Sequence, residues 1–181
     1  LIDGEEMQPE GLVFRGFKPS AGSVIPFNPA PDSTRFVLSG DLGIRWPHFI
    51  LFAELPERGA WVMVDEWAPD DADIGTICRM MRTTTCPRAN WGGPRDARRP
   101  VDMLIVDPAG AARSAQTGKS DLDIFQLQPP EGYGMRPLTE SDPARRGVSE
   151  GIHRVDLAFE RRRLLMSQEL YDRGMAAPAK Q

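Results

Sequence analysis

The 181-residue sequence has few cysteines, few histidines and no long apolar run. Its two cysteines, Cys78 and Cys86, have no histidine nearby, a pattern typical neither of a zinc site nor of a disulfide framework. A reducing, cytoplasmic setting is therefore expected. No apolar segment approaches the roughly 20 residues that cross a bilayer, and the acidic opening residues 1–11 lack the apolar core of a signal peptide. The sequence thus predicts no contact with a membrane.

The sequence also lacks an excess of basic residues. It has 22 Lys and Arg against 26 Asp and Glu, a formal net charge of −4. This balance argues against a protein that coats nucleic acid through bulk charge, but it allows an enzyme whose positive charge is gathered in one place. The length suits one domain with a sizeable core. Because the sequence does not begin with Met, we expect it to be a piece of a longer protein.

What the sequence does have is a buried strand with an acid inside it. Residues 36–44 read FVLSGDLGI and lie between Pro31 and Pro47, which predicts a strand. Its carboxylate, Asp41, would cost several kcal/mol to bury without a partner, and a metal ion is the strongest partner available. Asp41 therefore begins a candidate site.

Two further apolar runs, residues 48–55 and 60–67, follow this strand after short turns. Three strands joined in this way predict an antiparallel meander. A helix is then predicted from Pro69 and Asp70 onward, with Ile74, Ile77, Cys78 and Met81 on one face.

Residues 101–106 predict a fourth strand, which Asp107 and Pro108 end. The helix before it makes this strand parallel to one of the meander. Later residues predict a short helix from Ser120, a fifth strand at 134–139, a helix from about 144 and a last short strand at 164–166. We expect residues 1–34 to be an extended lead-in, 35–170 the domain and 171–181 a disordered tail.

This order of elements matches the ribonuclease H type of fold. The predicted fold is an α/β mixed sheet, an antiparallel three-strand meander plus parallel strands, flanked by helices. In that fold the first and fourth strands are neighbours, so Asp41 and Asp107 would face one another about 5 Å apart. Such a pair suits two Mg²⁺ or Mn²⁺ ions on a scissile phosphate, one activating water and the other stabilising the leaving oxygen. Alternatively, Asp107 forms a strand-end turn and Asp41 is a satisfied bulge residue.

Three stretches are similar to a known family: SGDLGIRWPHFILFAEL, VMVDEW and LIVDPAGAARSAQTGKSDLDIF. They resemble the nuclease domain of the large terminase subunit of tailed bacteriophages. The resemblance implies that Asp41 and Asp107 cleave double-stranded viral DNA during packaging, in the cytoplasm of the infected bacterial host. It also implies an ATPase domain in the complete polypeptide, with the portal protein and the small terminase subunit as partners.

The third acid that the family carries on a later helix has no clear counterpart. His153 and Asp156 match the family's motif on this helix only in part, which makes Asp156 a third catalytic candidate. Alternatively, Asp156 is a solvated residue on the flank of a helix. Asp65 and Glu66 would lie about 10 Å from the first strand, which suits supporting groups better than ligands. His48 and His153 are single histidines of the kind that is more often structural, and a two-metal site needs no protein base.

Basic residues are concentrated after the first helix. Arg88, Arg95, Arg98 and Arg99, with Arg79 and Arg82 before them, could grip DNA phosphates or form a solvated face. Lys119 and Ser120 could contact a phosphate at a helix N-terminus, or simply cap the helix. Residues 117–120 look like the end of a nucleotide-binding loop, but Arg113 stands where that loop needs glycine, which excludes nucleotide hydrolysis.

The sequence therefore predicts a metal-dependent endonuclease that acts on double-stranded DNA. One alternative is a junction-resolvase or transposase-type nuclease on the same fold. The other is a non-catalytic domain that binds DNA or a portal, which the missing third acid keeps open.

Overall fold

The computed structural model describes residues 14–27, 34–42, 47–69, 72–81, 101–107, 118–139 and 148–176. None of the helices in these ranges is long and apolar enough to cross a membrane. The strands are β1 Val24–Ile25, β2 Phe36–Asp41, β3 His48–Leu55, β4 Ala60–Trp67, β5 Met103–Val106 and β6 Leu164–Ser167. The helices are α1 Ile74–Met81, α2 Asp121–Gln126, α3 Val148–Glu160 and α4 Gln168–Ala176, with 3₁₀ turns at Pro19–Ala21 and Pro56–Arg58.

The six strands form one mixed sheet in the order β1-β6-β4-β3-β2-β5. Strands β2, β3 and β4 are the antiparallel meander, and β5 runs parallel to β2. On the other side, β6 runs parallel to β4 and β1 parallel to β6. The mixed sheet and the parallel neighbours β2 and β5 confirm the predicted fold class.

The turn between β3 and β4 explains why both strands have the predicted bounds. Its 3₁₀ turn begins at Pro56, which cannot continue the ladder because it has no N–H. Gly59 closes the turn with a φ of 54°, a left-handed conformation that glycine adopts without strain. The two turn residues therefore fix where one strand ends and the next begins.

Helix α1 begins at Ile74, later than the predicted start at Pro69 and Asp70. Asp73 caps it: the backbone N–H of Thr76 donates to the Asp73 carboxylate at 2.9 Å. This backbone hydrogen bond, with a second from the Thr76 hydroxyl, holds the pKa of Asp73 below its usual value. Of the neighbouring acids that suggested an early start, Asp73 supplies the cap.

The predicted fifth strand at residues 134–139 is a single bridge. Leu138 pairs in parallel with Ile105 of β5, and Val106 N–H donates to the Leu138 carbonyl at 2.9 Å. The preceding residue, Pro137, has no N–H to donate, which limits the pairing. The bridge nevertheless places this segment beside β5, on the side away from β2.

The described part of the lead-in joins the sheet instead of lying over it. Strand β1 pairs with β6, with Val24 opposite Met166. Phe17 also lies edge-on against Phe159 of α3, with ring centroids 5.1 Å apart. These contacts make residues 14–27 a structural part of the domain.

Helix α4 includes residues 171–176, where a disordered tail was expected. Leu170 is buried, and Tyr171 lies 6.3 Å from Phe17 between ring centroids. The helix therefore forms where its apolar residues find partners in the lead-in and the sheet.

One face of the sheet carries the main hydrophobic core. Side chains of β2, β3, β4, β5 and β6 lie there against α1, α2 and the segment after α2. Its largest fully buried members are Phe49, Leu51, Val62, Cys78, Leu104, Phe125, Tyr133 and Leu165. The opposite face of the central strands is more open, and Ile105 and Leu138 are exposed.

Candidate active site at one edge of the sheet

Asp41 and Asp107 lie at the same edge of the sheet, at the carboxyl ends of two neighbouring parallel strands. Asp41 is the last residue of β2, and Asp107 follows the last residue of β5. Gly40 pairs with Val106, and the Asp107 N–H donates to the Gly40 carbonyl at 3.2 Å. The ladder thus extends to the two acids and brings them side by side, as the predicted strand order required.

Both acids belong to the open face of the sheet. Gly40 and Val106 are buried on the core face. Since successive residues of a strand point to opposite faces, Asp41 and Asp107 are turned away from the core. Both are exposed to solvent. A ligand can therefore approach the pair without entering the core.

Gly40 is needed because an aromatic ring lies against the strand just before Asp41. A Cβ atom at Gly40 would lie 2.5 Å from Cε1 of Phe49, which is closer than two non-bonded carbon atoms approach. The Phe49 ring is itself stacked on Trp67, with centroids 5.6 Å apart. The glycine thus lets the two strands pair closely where β2 presents its acid.

Two further polar residues, His48 and Glu66, share this edge and face. His48 lies directly opposite Asp41, and Glu66 lies opposite Ile50, two residues along β3 from His48. Paired residues point to the same face of a sheet, so both side chains are on the side of Asp41. The His48 Nε2 atom lies 3.6 Å from Glu66 Oε2, and both side chains are about half exposed.

Sequence reasoning set His48 aside as a single structural histidine. Its place follows from the register of β2 and β3, which pairs the first residue of β3 with the last of β2. Residue spacing alone does not report this register.

Asp65 has a different environment from its neighbour Glu66. It lies opposite Leu51, after a shift in the register of β3 and β4. Its side chain is almost fully buried and accepts a hydrogen bond from Arg173 of α4. Burial raises the pKa of Asp65, against the opposing effect of the Arg173 guanidinium. Asp65 therefore links α4 to the sheet and does not face the two acids.

The structure does not bring Asp156 to Asp41 and Asp107. The Asp156 carboxylate accepts a hydrogen bond from the backbone N–H of Gly16 in the lead-in. Its helix, α3, packs on β6, and β6 is three strands from β2, which is about 14 Å. The contact made by the Asp156 carboxylate is with the lead-in.

The residues predicted to bind DNA are placed only in part. The hydroxyl of Ser120 accepts the Asp123 N–H at 3.1 Å, and the Ser120 N–H donates to Asp123 Oδ2 at 2.9 Å. Ser120 is thus the buried cap of α2, which was one of the two roles considered for it. Lys119 is exposed. Four predicted residues, Arg88, Arg95, Arg98 and Arg99, lie outside the described residues.

The donor set at this edge suits a hard divalent cation. Carboxylate oxygens are the ligands that Mg²⁺ and Mn²⁺ prefer, and Asp41 and Asp107 offer them from strands about 5 Å apart. Within the described ranges, no group of three or more His, Cys, Asp or Glu side chains could hold a metal ion. Asp41 and Asp107 could supply two oxygen ligands, and the described part of the chain does not add a third side chain that would complete a metal-binding group with them.

No family model and no curated protein matches the sequence. Among solved structures, the chain is similar to the P22 large terminase nuclease domain, with a TM-score of 0.58 and 12% sequence identity. The match covers 92% of this chain and 77% of that one. The two proteins share a fold, and this chain is ribonuclease H-like in the arrangement of its sheet and helices. At 12% sequence identity, this similarity shows a shared fold and does not show a shared activity.

Proposed function

We propose that this chain is a divalent-metal-dependent endonuclease that cuts double-stranded viral DNA during genome packaging. In this proposal it is the nuclease part of a large terminase subunit. The observation that carries it is that Asp41 and Asp107 lie at the carboxyl ends of the neighbouring parallel strands β2 and β5, on one open face. The shared fold with the P22 large terminase nuclease domain supports it, as does the sequence resemblance of the strands that carry the acids.

In this mechanism the protein's task is to position charge. Two Mg²⁺ or Mn²⁺ ions, when bound, supply an activated water and neutralise charge on the phosphate. Asp41 and Asp107 would hold these ions, and the ladder between β2 and β5 sets the spacing of the two strand ends that carry them. Because both acids are exposed on the open face, the backbone of a duplex can reach them.

Contacts with the DNA and with other proteins complete the proposal. Arg88, Arg95, Arg98, Arg99 and Lys119 would hold phosphates without reading sequence, whereas the Ser120 hydroxyl is already used in the helix cap. The partners are the ATPase domain of the same polypeptide, the portal protein and the small terminase subunit, in the cytoplasm of the infected host. These partners rest on the resemblance to the terminase family.

Cleavage of a supercoiled plasmid tests the nuclease directly. We expect nicking with Mn²⁺ or Mg²⁺ and none with EDTA. Asp41→Asn and Asp107→Asn should each reduce the rate by more than the roughly 10- to 100-fold typical of residues that only support a metal ligand. Asp172→Asn is the matched control, because Asp172 is an exposed acid on α4. Cleavage that survives in EDTA or in Asp41→Asn would contradict the proposal.

A second candidate is a non-catalytic domain that binds DNA or a portal protein. It is favoured by one observation: among the described residues, Asp41 and Asp107 are not part of a group of three or more His, Cys, Asp or Glu side chains that could hold a metal ion. DNA binding without cleavage at any divalent metal, in the same assay, would select this candidate over the enzyme.

A further inference from the structure

His48 lies between Glu66 and Asp41 across three neighbouring strands. The order of these strands is β4-β3-β2, and His48 pairs directly with Asp41. Glu66 lies on the other side of His48, on the same face of the sheet. His48 is therefore the direct cross-strand neighbour of the residue that the proposed function assigns to metal binding.

On the side away from Asp41, the His48 imidazole contacts Glu66. The Nε2 atom lies 3.6 Å from Glu66 Oε2, while 46% of the His48 side chain and 55% of the Glu66 side chain remain exposed. A pair this exposed contributes little to the stability of a fold. Such a contact can still favour one orientation of the ring of the residue that pairs with Asp41.

We propose that His48, held by Glu66, is a positioning residue for the Asp41 carboxylate and raises the affinity of the site for a divalent cation. The inference rests on the proposed function, because it assumes that Asp41 binds the metal. Carboxylates that bind metals are oriented by neighbouring polar side chains, and losing such a neighbour typically costs about 10- to 100-fold in metal affinity. Across the β2–β3 pair, His48 is the residue placed to do this.

The test is calorimetric titration of Mn²⁺ into the whole chain without DNA, which reads the site independently of cleavage. His48→Ala should weaken Mn²⁺ binding by about 10-fold. His48→Gln, which keeps a side-chain N–H donor, should recover part of the loss. Glu66→Gln, which is nearly isosteric, should also weaken Mn²⁺ binding. This variant provides the test if His48→Ala does not fold. The matched control is His153→Ala, since His153 is the second histidine of the chain and is exposed on α3.

The double variant tests whether the two residues act as a unit. If Glu66 acts through His48, combining His48→Ala with Glu66→Gln should be no worse than His48→Ala alone. Wild-type affinity in His48→Ala and Glu66→Gln, with binding lost in Asp41→Asn, would overturn this inference and leave the proposed function standing. Failure of the wild type to bind Mn²⁺ would overturn both.

Discussion

At the scale of single residues, Asp65 is the one Asp or Glu residue that is buried among the described residues. Only 3% of its side chain is exposed, and Arg173 reaches it from α4 with a side chain that is about half exposed. Burial raises the pKa of Asp65, while the hydrogen bond and the charge of Arg173 lower it. The net rise means that the folded protein holds this proton to a higher pH than the unfolded chain does.

A raised pKa fixes the sign of a pH effect on stability. As the pH rises above the usual 3.8, the unfolded chain releases the Asp65 proton first. Stability therefore falls until the pH passes the folded pKa. Arg173→Ala removes both lowering effects, so its cost should grow from about pH 4 to pH 7. At pH 7 we expect a loss of about 2 kcal/mol in the free energy of unfolding, below the ~3–5 kcal/mol of a fully buried pair because Arg173 is half exposed.

Urea unfolding at pH 4, 5.5 and 7 measures this dependence. Arg154→Ala is the matched control, because Arg154 pairs with Glu150 on the exposed surface of α3 and should change stability little at any of these pH values. Adding Arg173→Ala to Asp65→Asn should produce no further pH dependence. An equal cost of Arg173→Ala at pH 4 and pH 7 would mean that the ionised Asp65 carboxylate is not the group that Arg173 stabilises.

At the scale of elements, local sequence signals predicted the strands of the meander but not strand β1, which extends the sheet beyond β6. Strands β3 and β4 have the predicted bounds because Pro56 and Gly59 mark the turn between them. Strand β1 has two residues and gains its conformation from β6, which lies about 140 positions later in the chain. No local periodicity reports a pairing of this kind. The same holds for α4, whose apolar contacts come from the lead-in.

Asp156 is a candidate site residue whose carboxylate makes a long-range contact with the lead-in instead of lying at the site. Its spacing from His153 suggested a catalytic acid, but its carboxylate accepts the Gly16 N–H of the lead-in. We expect Asp156→Ala to lower the free energy of unfolding by about 1–2 kcal/mol, because a charge-assisted hydrogen bond between α3 and the lead-in is lost. Mn²⁺ affinity and plasmid nicking, measured well below the unfolding temperature, should stay at wild-type levels.

The matched comparison for Asp156→Ala is Asp172→Ala, an acid on the neighbouring helix α4 whose contact is with Gln168 on the same helix. This variant should leave both stability and nicking unchanged. A loss of Mn²⁺ binding in folded Asp156→Ala would instead support the catalytic role that the sequence suggested for Asp156.

At the scale of the whole molecule, the sequence predicted the central strand order and, with it, the meeting of Asp41 and Asp107. The helix between the third and fourth strands of the core predicted a strand parallel to one of the meander. The ribonuclease H type of fold placed that strand beside β2, where β5 lies. Sequence reasoning proposed Glu66, together with Asp65, as a supporting group, but it did not reveal His48 as a neighbour of the acids. The places of His48 and Glu66 depend on the register of three strands, which the sequence leaves open until the pairing is known.

A metal ion that binds the two acids should stabilise the whole fold, because the unfolded chain does not hold them together. At a hundred times its dissociation constant, an ion that binds only the folded state adds about 2.7 kcal/mol. For a chain of this length that corresponds to a rise in the unfolding temperature of about 5–10 °C. We expect this rise with Mn²⁺ in the wild type, its reversal by EDTA and its absence in the Asp41→Asn, Asp107→Asn double variant. Thermal unfolding followed by circular dichroism measures it, with Asp172→Asn keeping the full rise. An equal rise in the double variant would place the stabilising ion elsewhere and remove the main support for a metal site at this edge of the sheet.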